Sequence, residues 1–392
     1  MSKTYDIAVV GAGIVGLSVA LAAAKRGKKV VVFERHPKAA GASVRNFGML
    51  WPIGQPAGNM LDRAMRSREI WLDVCKQANL WHRKSGSLHL AYHDDEMAVL
   101  EEFYAASHDA GYEMQLIGAK DVSTYSNYAK PKNLKGALWS STEVNIAPRQ
   151  ATEGIAHFLQ AHYGVDFFYN TAITDVCFPY IYGFDEETQV NEHIYVCSGA
   201  DFETLYPSLF STIGMTKCKL QMLSTVAQPD GFDMGAMLCA GLTLRHYKAF
   251  EQCKTLAEMS ARYDRDEPLF KQYGIHVLLS QNNENQLVIG DSHEYGLDLN
   301  PFDKEDINRL ILNYLHTFAA YPKTFIAERW NGTYAKLMGE TDFVQEIETG
   351  VTIVNGLSGA GMTLSFGLAE EIMTGQFAFN TEGVAQSNVN KL

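Results

Sequence analysis

The 392-residue sequence lacks features that would assign it to several common classes of protein. No stretch approaches the ~20 apolar residues that a membrane-spanning helix needs. The first thirteen residues contain no basic leader followed by an apolar run. The six cysteines occur singly, without the CxxC pairs or Cys/His clusters of a structural zinc site. We therefore expect a cytoplasmic protein with free thiols, no membrane span and no bound metal.

Positive charge is also scarce, with 33 Lys and Arg against 45 Asp and Glu and a formal net charge of −12. Nucleic-acid binding depends on Lys and Arg that neutralise phosphates, so nucleic acid is not an expected partner. A small anionic substrate is compatible with this charge if a local cluster of basic and hydrogen-bonding groups overcomes the long-range field. The apolar content, 46% over this length, is sufficient for two domains.

The N-terminal segment has the pattern of a strand, a glycine turn and a helix. The apolar run 5–10 leads into GAGIVG, and residues 14–25 have a helical pattern. Gly11 permits the tight turn, Gly13 lets the backbone approach a pyrophosphate, and Gly16 allows close packing of the helix. The helix N-terminus offers free N–H groups and the positive end of its dipole.

An acidic residue follows the second apolar strand, residues 29–33. Glu34 lies eighteen residues past Gly16 and is placed to accept hydrogen bonds from ribose hydroxyls. An acid at this position disfavours a 2′-phosphorylated nucleotide. Together with the glycine turn, Glu34 predicts a dinucleotide-binding site.

Two further segments favour FAD over NAD. Residues 39–58, AAGASVRNFGMLWPIGQPAG, combine small residues, an Arg–Asn pair and a Trp–Pro turn. Near the C-terminus, an apolar strand at 351–355 leads into GLSGAGMTLSFG and a predicted helix over 368–374. A helix N-terminus there would stabilise the negative charge that accumulates at flavin N1 and the C2 oxygen on reduction.

The order of these motifs resembles the D-amino-acid oxidase, glycine oxidase and sarcosine oxidase superfamily of FAD enzymes. The shared landmarks are GAGIVG with Glu34, GAS at 41–43, EVNIAPRQ at 143–150, YVCSGAD at 195–201, RWNGTY at 329–334 and the last glycine turn. The resemblance implies an α/β fold with a Rossmann-like FAD-binding domain and an inserted α+β substrate domain built on an antiparallel sheet. The implied FAD-binding domain comprises residues 1–85, 146–215 and 325–392, and the substrate domain comprises 86–145 and 216–324.

The resemblance also implies which residues contact FAD. Sarcosine-oxidase relatives attach the flavin through a cysteine near the segment that corresponds to 330–338, which contains none here, so we expect non-covalent FAD. The expected contacts are Gly11, Gly13, Ile14, Val15, Gly16, Glu34, Arg35, Ser43, Arg45, Asn46, Gly48, Met49, Val176 near the adenine, Ser198, Gly199, Gly332, Gly356, Ser358, Gly359, Ala360, Gly361, Met362 and Thr363. The lysine that assists oxygen reduction in those relatives would fall near Ser280 and is absent. Oxygen and another electron acceptor both remain open.

Amino-acid oxidases of this superfamily hold the substrate carboxylate with arginine, whose planar guanidinium makes two parallel hydrogen bonds. In the glycine-oxidase pattern, the corresponding positions are Tyr334 and Gly359 here, and neither is arginine. An ordinary α-amino acid is therefore disfavoured, although Arg45 could substitute.

The run SVRNFGMLWPIGQP at 43–56 resembles FAD oxidoreductases associated with aminophosphonate breakdown. That similarity implies oxidative deamination or N-dealkylation of a 2-aminoethylphosphonate derivative, by hydride transfer to flavin N5 and hydrolysis of the imine. Placement and electrostatics would then suffice, without a dedicated base. The candidates for the active site are Arg45, Gln55, His276, Tyr334 and Lys336. For His276 a place in the core is an equal expectation, and Lys336 is expected to be solvated.

Three alternatives remain open at this stage. The first is an oxidase or dehydrogenase of sarcosine or glycine, with an arginine recruited from another loop. The second is an aromatic hydroxylase, which is weakened because the Gly-Asp pair at 290–291 ends a strand. The third is a non-catalytic flavoprotein subunit. The polar residues 291–294 are interpreted as an ordinary turn after strands within 273–291, and the pattern at 302–321 predicts a helix with its cap at Asp303.

Overall fold

The computed structural model describes residues 3–184 and 187–377. The strands are β1 (Tyr5–Val10), β2 (Val30–Phe33), β3 (Met49–Leu50), β4 (His82–Arg83), β5 (Ser87–Ala91), β6 (Met114–Gly118), β7 (Gly136–Ser140), β8 (Val144–Ile146), β9 (Asp166–Phe168), β10 (Asp175–Cys177), β11 (Tyr180–Tyr182), β12 (Glu187–Val196), β13 (Met215–Thr225), β14 (Met237–Ala240), β15 (Leu278–Gln281), β16 (Leu287–Gly290), β17 (Glu294–Gly296), β18 (Ile326–Leu337), β19 (Phe343–Glu348) and β20 (Val351–Asn355). The α-helices are α1 (Ile14–Lys25), α2 (Asn59–Gln77), α3 (Asp94–Ser107), α4 (Pro148–Tyr163), α5 (Pro207–Thr212), α6 (Leu256–Asp266), α7 (Pro268–Gln272), α8 (Glu305–Phe318) and α9 (Gly361–Met373).

The first sheet has a parallel centre. Strand β1 pairs in parallel with both β2 and β12, and β12 pairs in parallel with β20. The order continues through β9 on one side, through β10 and β11 beyond β12, and through β19 beside β20. Helix α1 packs against α4 and α9, and α2 packs against α9. Strands β1, β2 and β20 are almost continuously apolar because both faces of a parallel sheet are covered. This is the expected Rossmann-like arrangement.

The second sheet has the order β17-β13-β16-β15-β14-β5-β7-β6, with β18 paired to β13. Its pairs are antiparallel except for the parallel pair of β14 with β5. Helix α3 packs against β5, β7 and α6, and α8 packs against β13. The expected antiparallel sheet with helices, including the hairpin of β15 and β16, is therefore confirmed.

Two helix boundaries and the assignment of one strand differ from the sequence predictions. Strand β18, which the predicted division at residue 325 groups with the first sheet, pairs with β13 from Met215↔Leu337 to Thr225↔Ile326 and so lies in the second sheet. Helix α8 begins after Lys304, not Asp303. Helix α9 begins at Gly361, seven residues before the predicted start at 368, because burial of its apolar side chains outweighs the weak helix propensity of its glycines. Residues 378–392 of the predicted FAD-binding segment lie outside the described residues.

Strand β18 also links the second sheet to the last glycine turn, through a bridge between Lys336 and Leu357. Among the described residues, no helix is both long enough and apolar enough to cross a bilayer.

Candidate active site

A cavity of about 710 Å³ is lined by residues of both sheets. One end lies at the glycine turn between β1 and α1, and its wall there includes Glu34 and residues 197–201. Its middle is lined by the loop after β2 and by the first turn of α9, and its far end by β18 and by residues 245–248. The volume lies in the range of small-molecule and cofactor sites.

The glycine turn leaves bare backbone at the cavity wall. Gly11 has a φ of 102°, and a Cβ there would lie 2.5 Å from the carbonyl oxygen of Cys197. A Cβ at Gly16 would lie 1.9 Å from the carbonyl oxygen of Gly11, so α1 packs directly on the turn. The roles predicted for these two glycines, a tight turn and close packing, agree with this geometry. Gly16 itself does not line the cavity.

Glu34 is held by two backbone donors. Its Oε2 accepts a hydrogen bond from Ala12 N at 3.0 Å, and its Oε1 accepts one from His36 N at 3.0 Å. The side chain is buried and lines the cavity. Because an ionised carboxylate has about four acceptor positions, Glu34 keeps capacity for the hydroxyls of a ribose.

The loop after β2 is joined to α1 by Ser43, whose Oγ accepts a hydrogen bond from Ile14 N at 2.9 Å. The Asn46 amide serves the loop itself: Nδ2 donates to the carbonyls of Ala42 and Ser43, and Oδ1 accepts from Gly48 N at 2.7 Å. Asn46 therefore shapes the cavity wall, while its side-chain amide is occupied within the loop.

The last glycine turn is fixed from several sides. Asn355 Nδ2 donates to Gly199 O at 2.9 Å, which joins the turn to the loop after β12. Trp71 Nε1 donates to Met362 O at 2.8 Å, and Thr363 Oγ1 accepts from the backbone of Trp51 at 2.9 Å. The first residues of α9 line the cavity and bring the positive end of the helix dipole to it.

Basic residues gather at the far end of the cavity, where Arg245, Lys248 and Lys336 line the wall. Arg245 Nη1 donates to Asp264 at 2.8 Å, and Lys248 Nζ donates to Gly339 O at 3.0 Å. The Lys336 ammonium has no hydrogen bond or ion pair among the described residues, and burial together with Lys248 lowers its pKa. Lys336 was expected to be solvated; instead it is partly buried at the cavity.

Gln55 lies beside this end on a short 3-10 turn. Its side chain is buried and lines the cavity, and its amide makes no hydrogen bond within the described part of the chain. The turn is anchored by Glu143, which accepts from Ile53 N at 3.1 Å and from Ser87 Oγ at 3.0 Å. Burial raises the pKa of the Glu143 carboxyl.

Four residues that sequence reasoning did not bring together form a cluster at the same end. His246, His276, Asp291 and His293 all line the cavity. The ring centroids of His246 and His276 lie 3.8 Å apart, and those of His276 and His293 lie 5.2 Å apart. His276 Nε2 lies 3.1 Å from Asp291 Oδ1. The interpretation of residues 291–294 as an ordinary turn is therefore wrong, and His276 faces the cavity as well as the core.

His276 and His293 are buried, whereas His246 is exposed on the cavity wall. Desolvation by the surrounding protein, followed by the neighbouring His276 and His293, places the pKa of His246 well below its ordinary value. Burial also lowers the pKa of His293, although Asp291 opposes that shift. Both imidazoles are accordingly neutral at pH 7, with one donor and one acceptor nitrogen each.

A family model described as FAD dependent oxidoreductase, DAO, matches residues 6–374. The chain belongs to this DAO family. It is an FAD-dependent oxidoreductase. Gamma-glutamylputrescine oxidoreductase from Escherichia coli strain K12 is 24% identical to it over 92% of this chain and 81% of that relative's own length.

Other matches to this DAO-family chain are shorter or show the fold alone. Glycerol 3-phosphate dehydrogenase from Caloramator mitchellensis is 24% identical over 50% of the chain, and the match spans 42% of that relative. The chain spans about half the length of several relatives that it matches. The structure of glycine oxidase from Bacillus cereus ATCC 14579 superposes with a TM-score of 0.75, 17% identity and 96% coverage of both chains, which shows a shared fold.

The cavity of this DAO-family chain fits FAD. Besides the bare glycine backbone, Ser198 Oγ is buried without a hydrogen-bond partner among the described residues, and Ser198 lines the cavity. Buried hydroxyls are normally hydrogen-bonded, and a bound dinucleotide would supply a polar group for this one. Of the predicted FAD contacts, those that line the cavity are Gly11, Gly13, Ile14, Val15, Glu34, Arg35, Ser43, Arg45, Asn46, Met49, Ser198, Gly199, Gly332, Gly356, Ser358, Gly359, Ala360, Gly361, Met362 and Thr363.

Besides Gly16, the structure does not bring two predicted contacts, Gly48 and Val176, to the cavity. A Cβ at Gly48 would lie 2.0 Å from Ile146 O, so this glycine allows the loop to cross close to β8. Val176 packs into an apolar core because the β10–β11 hairpin turns its side chain inward. Residues 171–173, immediately before that hairpin, line the cavity instead.

Proposed function

We propose that this enzyme oxidises a small amine that carries a tetrahedral anion, with a 2-aminoethylphosphonate derivative as the favoured substrate. The observation that carries the proposal is the Lys336 ammonium, which lines the cavity without an ion-pair partner in the described residues of a chain with net charge −12. A partly buried cation of this kind is stabilised by an anion or strong acceptors that offset its loss of hydration.

The form of the anion is supported by the arrangement of donors. The two positions at which glycine-oxidase-like relatives carry arginine hold Tyr334 and Gly359, which are adjacent here. Gln55, Lys336 and His246 instead present separate donors along the cavity wall. A tetrahedral phosphonate with three oxygens accepts hydrogen bonds from several directions, whereas a planar carboxylate is matched by one guanidinium fork.

An amine as the oxidised group is supported by family membership and by the relative matched over most of the chain, which is named for an amine, gamma-glutamylputrescine. When bound, FAD supplies an acceptor for a hydride from the carbon next to the nitrogen. Ser43, Glu34 and the first turn of α9 would hold the cofactor. Trp51 and Tyr247, stacked with centroids 6.2 Å apart, form an apolar wall that excludes water beside Gln55.

In this proposal, the first sheet carries the cofactor and the second sheet carries the substrate-binding groups. No base is required, because the substrate nitrogen is oxidised as the neutral amine and the resulting imine hydrolyses in water. The protein contributes placement of the substrate and a field that favours negative charge near α9. The neutral histidines are available to accept a hydrogen bond from the N–H of the neutral amine.

A carboxylate-bearing amine such as sarcosine or glycine is the second candidate. Arg45 favours it, because this residue lines the cavity and its guanidinium makes one long contact, 3.4 Å, with Asn331 O. Arg45 would then replace the missing arginines.

Anaerobic reduction of the bound flavin distinguishes these candidates. The purified yellow protein is mixed without oxygen with N-methyl-2-aminoethylphosphonate, 2-aminoethylphosphonate, sarcosine or glycine, and absorbance near ~450 nm is followed. We expect bleaching by an aminophosphonate and little by the carboxylates. Bleaching only by sarcosine or glycine would refute the phosphonate proposal, and resistance to all four would favour a non-catalytic flavoprotein. Recovery of the colour on admitting air would identify oxygen as an acceptor.

A further inference from the structure

We propose that His246, His276 and His293 form a site for a divalent metal ion of the zinc type on the cavity wall. One ring nitrogen from each histidine lies within 4.8 Å of a ring nitrogen of each of the others. Three imidazoles that leave a position open are a common donor set of reactive zinc sites. The sequence predicted no metal, because the three residues come from separate segments and form no motif.

The hydrogen bonds of the rings support this site. His293 Nδ1 lies 2.9 Å from the carbonyl oxygen of Gly274, which only accepts, so Nδ1 carries the proton and Nε2 is left with a free lone pair. His276 directs Nε2 toward Asp291, and its Nδ1 is buried without a partner in the described residues. Metal-binding histidines typically hold their second nitrogen on a backbone carbonyl or a carboxylate. His293 has this arrangement, and His276 has a carboxylate 3.1 Å from its second nitrogen.

Asp291 provides a second, independent reason. Its side chain is buried, and its Oδ1 lies 3.1 Å from His276 Nε2 without the alignment of a hydrogen bond. A buried carboxylate without full pairing is costly, and a cation bound through His276 would offset that cost. Lys336 and Arg245 oppose a cation at this end, but Arg245 is already paired with Asp264.

Metal binding requires a defined movement of one ring. With zinc–nitrogen bonds of ~2.0–2.1 Å, the three nitrogens must approach one another more closely than 4.8 Å. The rings of His246 and His276 are stacked, so they must also tilt apart before one nitrogen of each can point at the same metal ion. His246 can make this change because it faces the open cavity on the segment between the 3-10 turns 241–243 and 248–250.

The open position of the metal would face the cavity and take an oxygen of an anionic ligand. This use of the metal rests on the proposed function, whereas the existence of the site does not. The two can therefore be tested separately on the same protein.

The test uses the FAD-loaded protein, freed of metal with a chelator and titrated with zinc sulfate in a calorimeter, with elemental analysis after desalting. We expect about one zinc per chain. His276→Ala and His293→Ala should each weaken zinc binding at least ~100-fold, and Asp291→Asn should weaken it ~10–100-fold. His157→Ala, an exposed histidine on α4, is the matched control and should bind zinc like the wild type. Flavin absorbance reports whether each variant is folded.

Failure to take up zinc, or equal uptake by wild type and His276→Ala, would overturn the inference. If the variants of His276 and His293 lose their flavin, His246→Ala provides the decisive comparison, since this residue lies on the open wall of the cavity. Oxidation of an aminophosphonate by zinc-free protein that binds no zinc would leave the proposed function standing and remove the metal site. Zinc binding without oxidation of any amine would do the reverse.

Discussion

The hydroxyl oxygen of Tyr334 lies 3.6 Å from the position that a Cβ on Gly359 would take. These residues come from β18 and from the turn before α9, and the cavity is lined by both. They are the positions at which glycine-oxidase-like sequences are expected to carry arginines. The fold thus brings the two positions together, with a phenol and a glycine in place of two guanidinium groups.

This contact predicts that a carboxylate site can be restored by one substitution. A distance of 3.6 Å is ordinary van der Waals contact, so Gly359→Arg should fold and place a guanidinium at the cavity. A bidentate guanidinium–carboxylate pair contributes ~1.5–3 kcal/mol, so kcat/KM for sarcosine relative to an aminophosphonate should rise by ~10–100-fold. Steady-state kinetics with both substrates measure this ratio. Gly359→Ala controls for the added Cβ, and an equal rise in that variant would contradict the argument.

The unpaired ammonium of Lys336 predicts a selective loss of activity toward the anion. Lys336→Met keeps the length of the side chain and removes its charge, so kcat/KM for the aminophosphonate should fall ~10–100-fold, mainly through a higher KM. The control is Lys323→Met, an exposed residue whose Nζ donates only to Ala227 O. Unchanged kinetics in Lys336→Met would show that the anion lies elsewhere in the cavity.

The hydrogen bond from Trp51 N to Thr363 Oγ1 predicts an effect on stability. Thr363→Val keeps the shape of the side chain but leaves a buried N–H unpaired, which should lower the free energy of unfolding by ~1–3 kcal/mol. Thr363→Ser retains the acceptor and should cost less than ~1 kcal/mol for the lost methyl group. Urea unfolding at a fixed excess of FAD compares the two variants. Equal midpoints would show that the hydrogen bond contributes little.

The helices and strands that could be predicted are those whose bounds are set by a short stretch of sequence. Strand β1, helix α1 and strand β20 have the predicted bounds, because each is a continuous run of one periodicity closed by glycine or by a polar residue. The placement of Glu34 beside the glycine turn follows from the same βαβ unit.

The substrate end could not be predicted in this way. Its residues come from five separate segments, and tertiary contacts such as the pairing of β13 with β16 and β18 bring them together. His276 and His293 lie on either side of the hairpin of β15 and β16, and the one local signal was the spacing Asp291-x-His293 at the end of β16. A short polar segment after a strand is equally typical of a turn, so this signal could not be interpreted without the structure. Val176 was predicted to lie near the adenine, and the β10–β11 hairpin turns its side chain into the core instead.

A buried histidine outside the cavity predicts how stability changes with pH. His89 is buried between Trp51 and Phe250, neither ring nitrogen has a partner in the described residues, and burial lowers its pKa to about 3. In the unfolded chain its pKa is about 6.5, so between these values the unfolded state binds the extra proton. The stability linked to neutral His89 is therefore complete above pH 6.5 and is lost as pH falls from 6.5 toward 3. By pH 5 the loss should be about 2 kcal/mol.

His89→Leu removes this titration, so its free energy of unfolding should fall less between pH 7 and pH 5 than that of the wild type, by about 2 kcal/mol. The measurement is urea unfolding of both proteins at the two pH values with excess FAD. The change in the free energy of unfolding between pH 7 and pH 5 is compared between the proteins, so any direct effect of the new side chain on packing cancels. His157→Leu, at an exposed position on α4, should retain the wild-type dependence on pH. Parallel losses in wild type and His89→Leu would mean that His89 gains a partner or water in solution and titrates near its ordinary pKa.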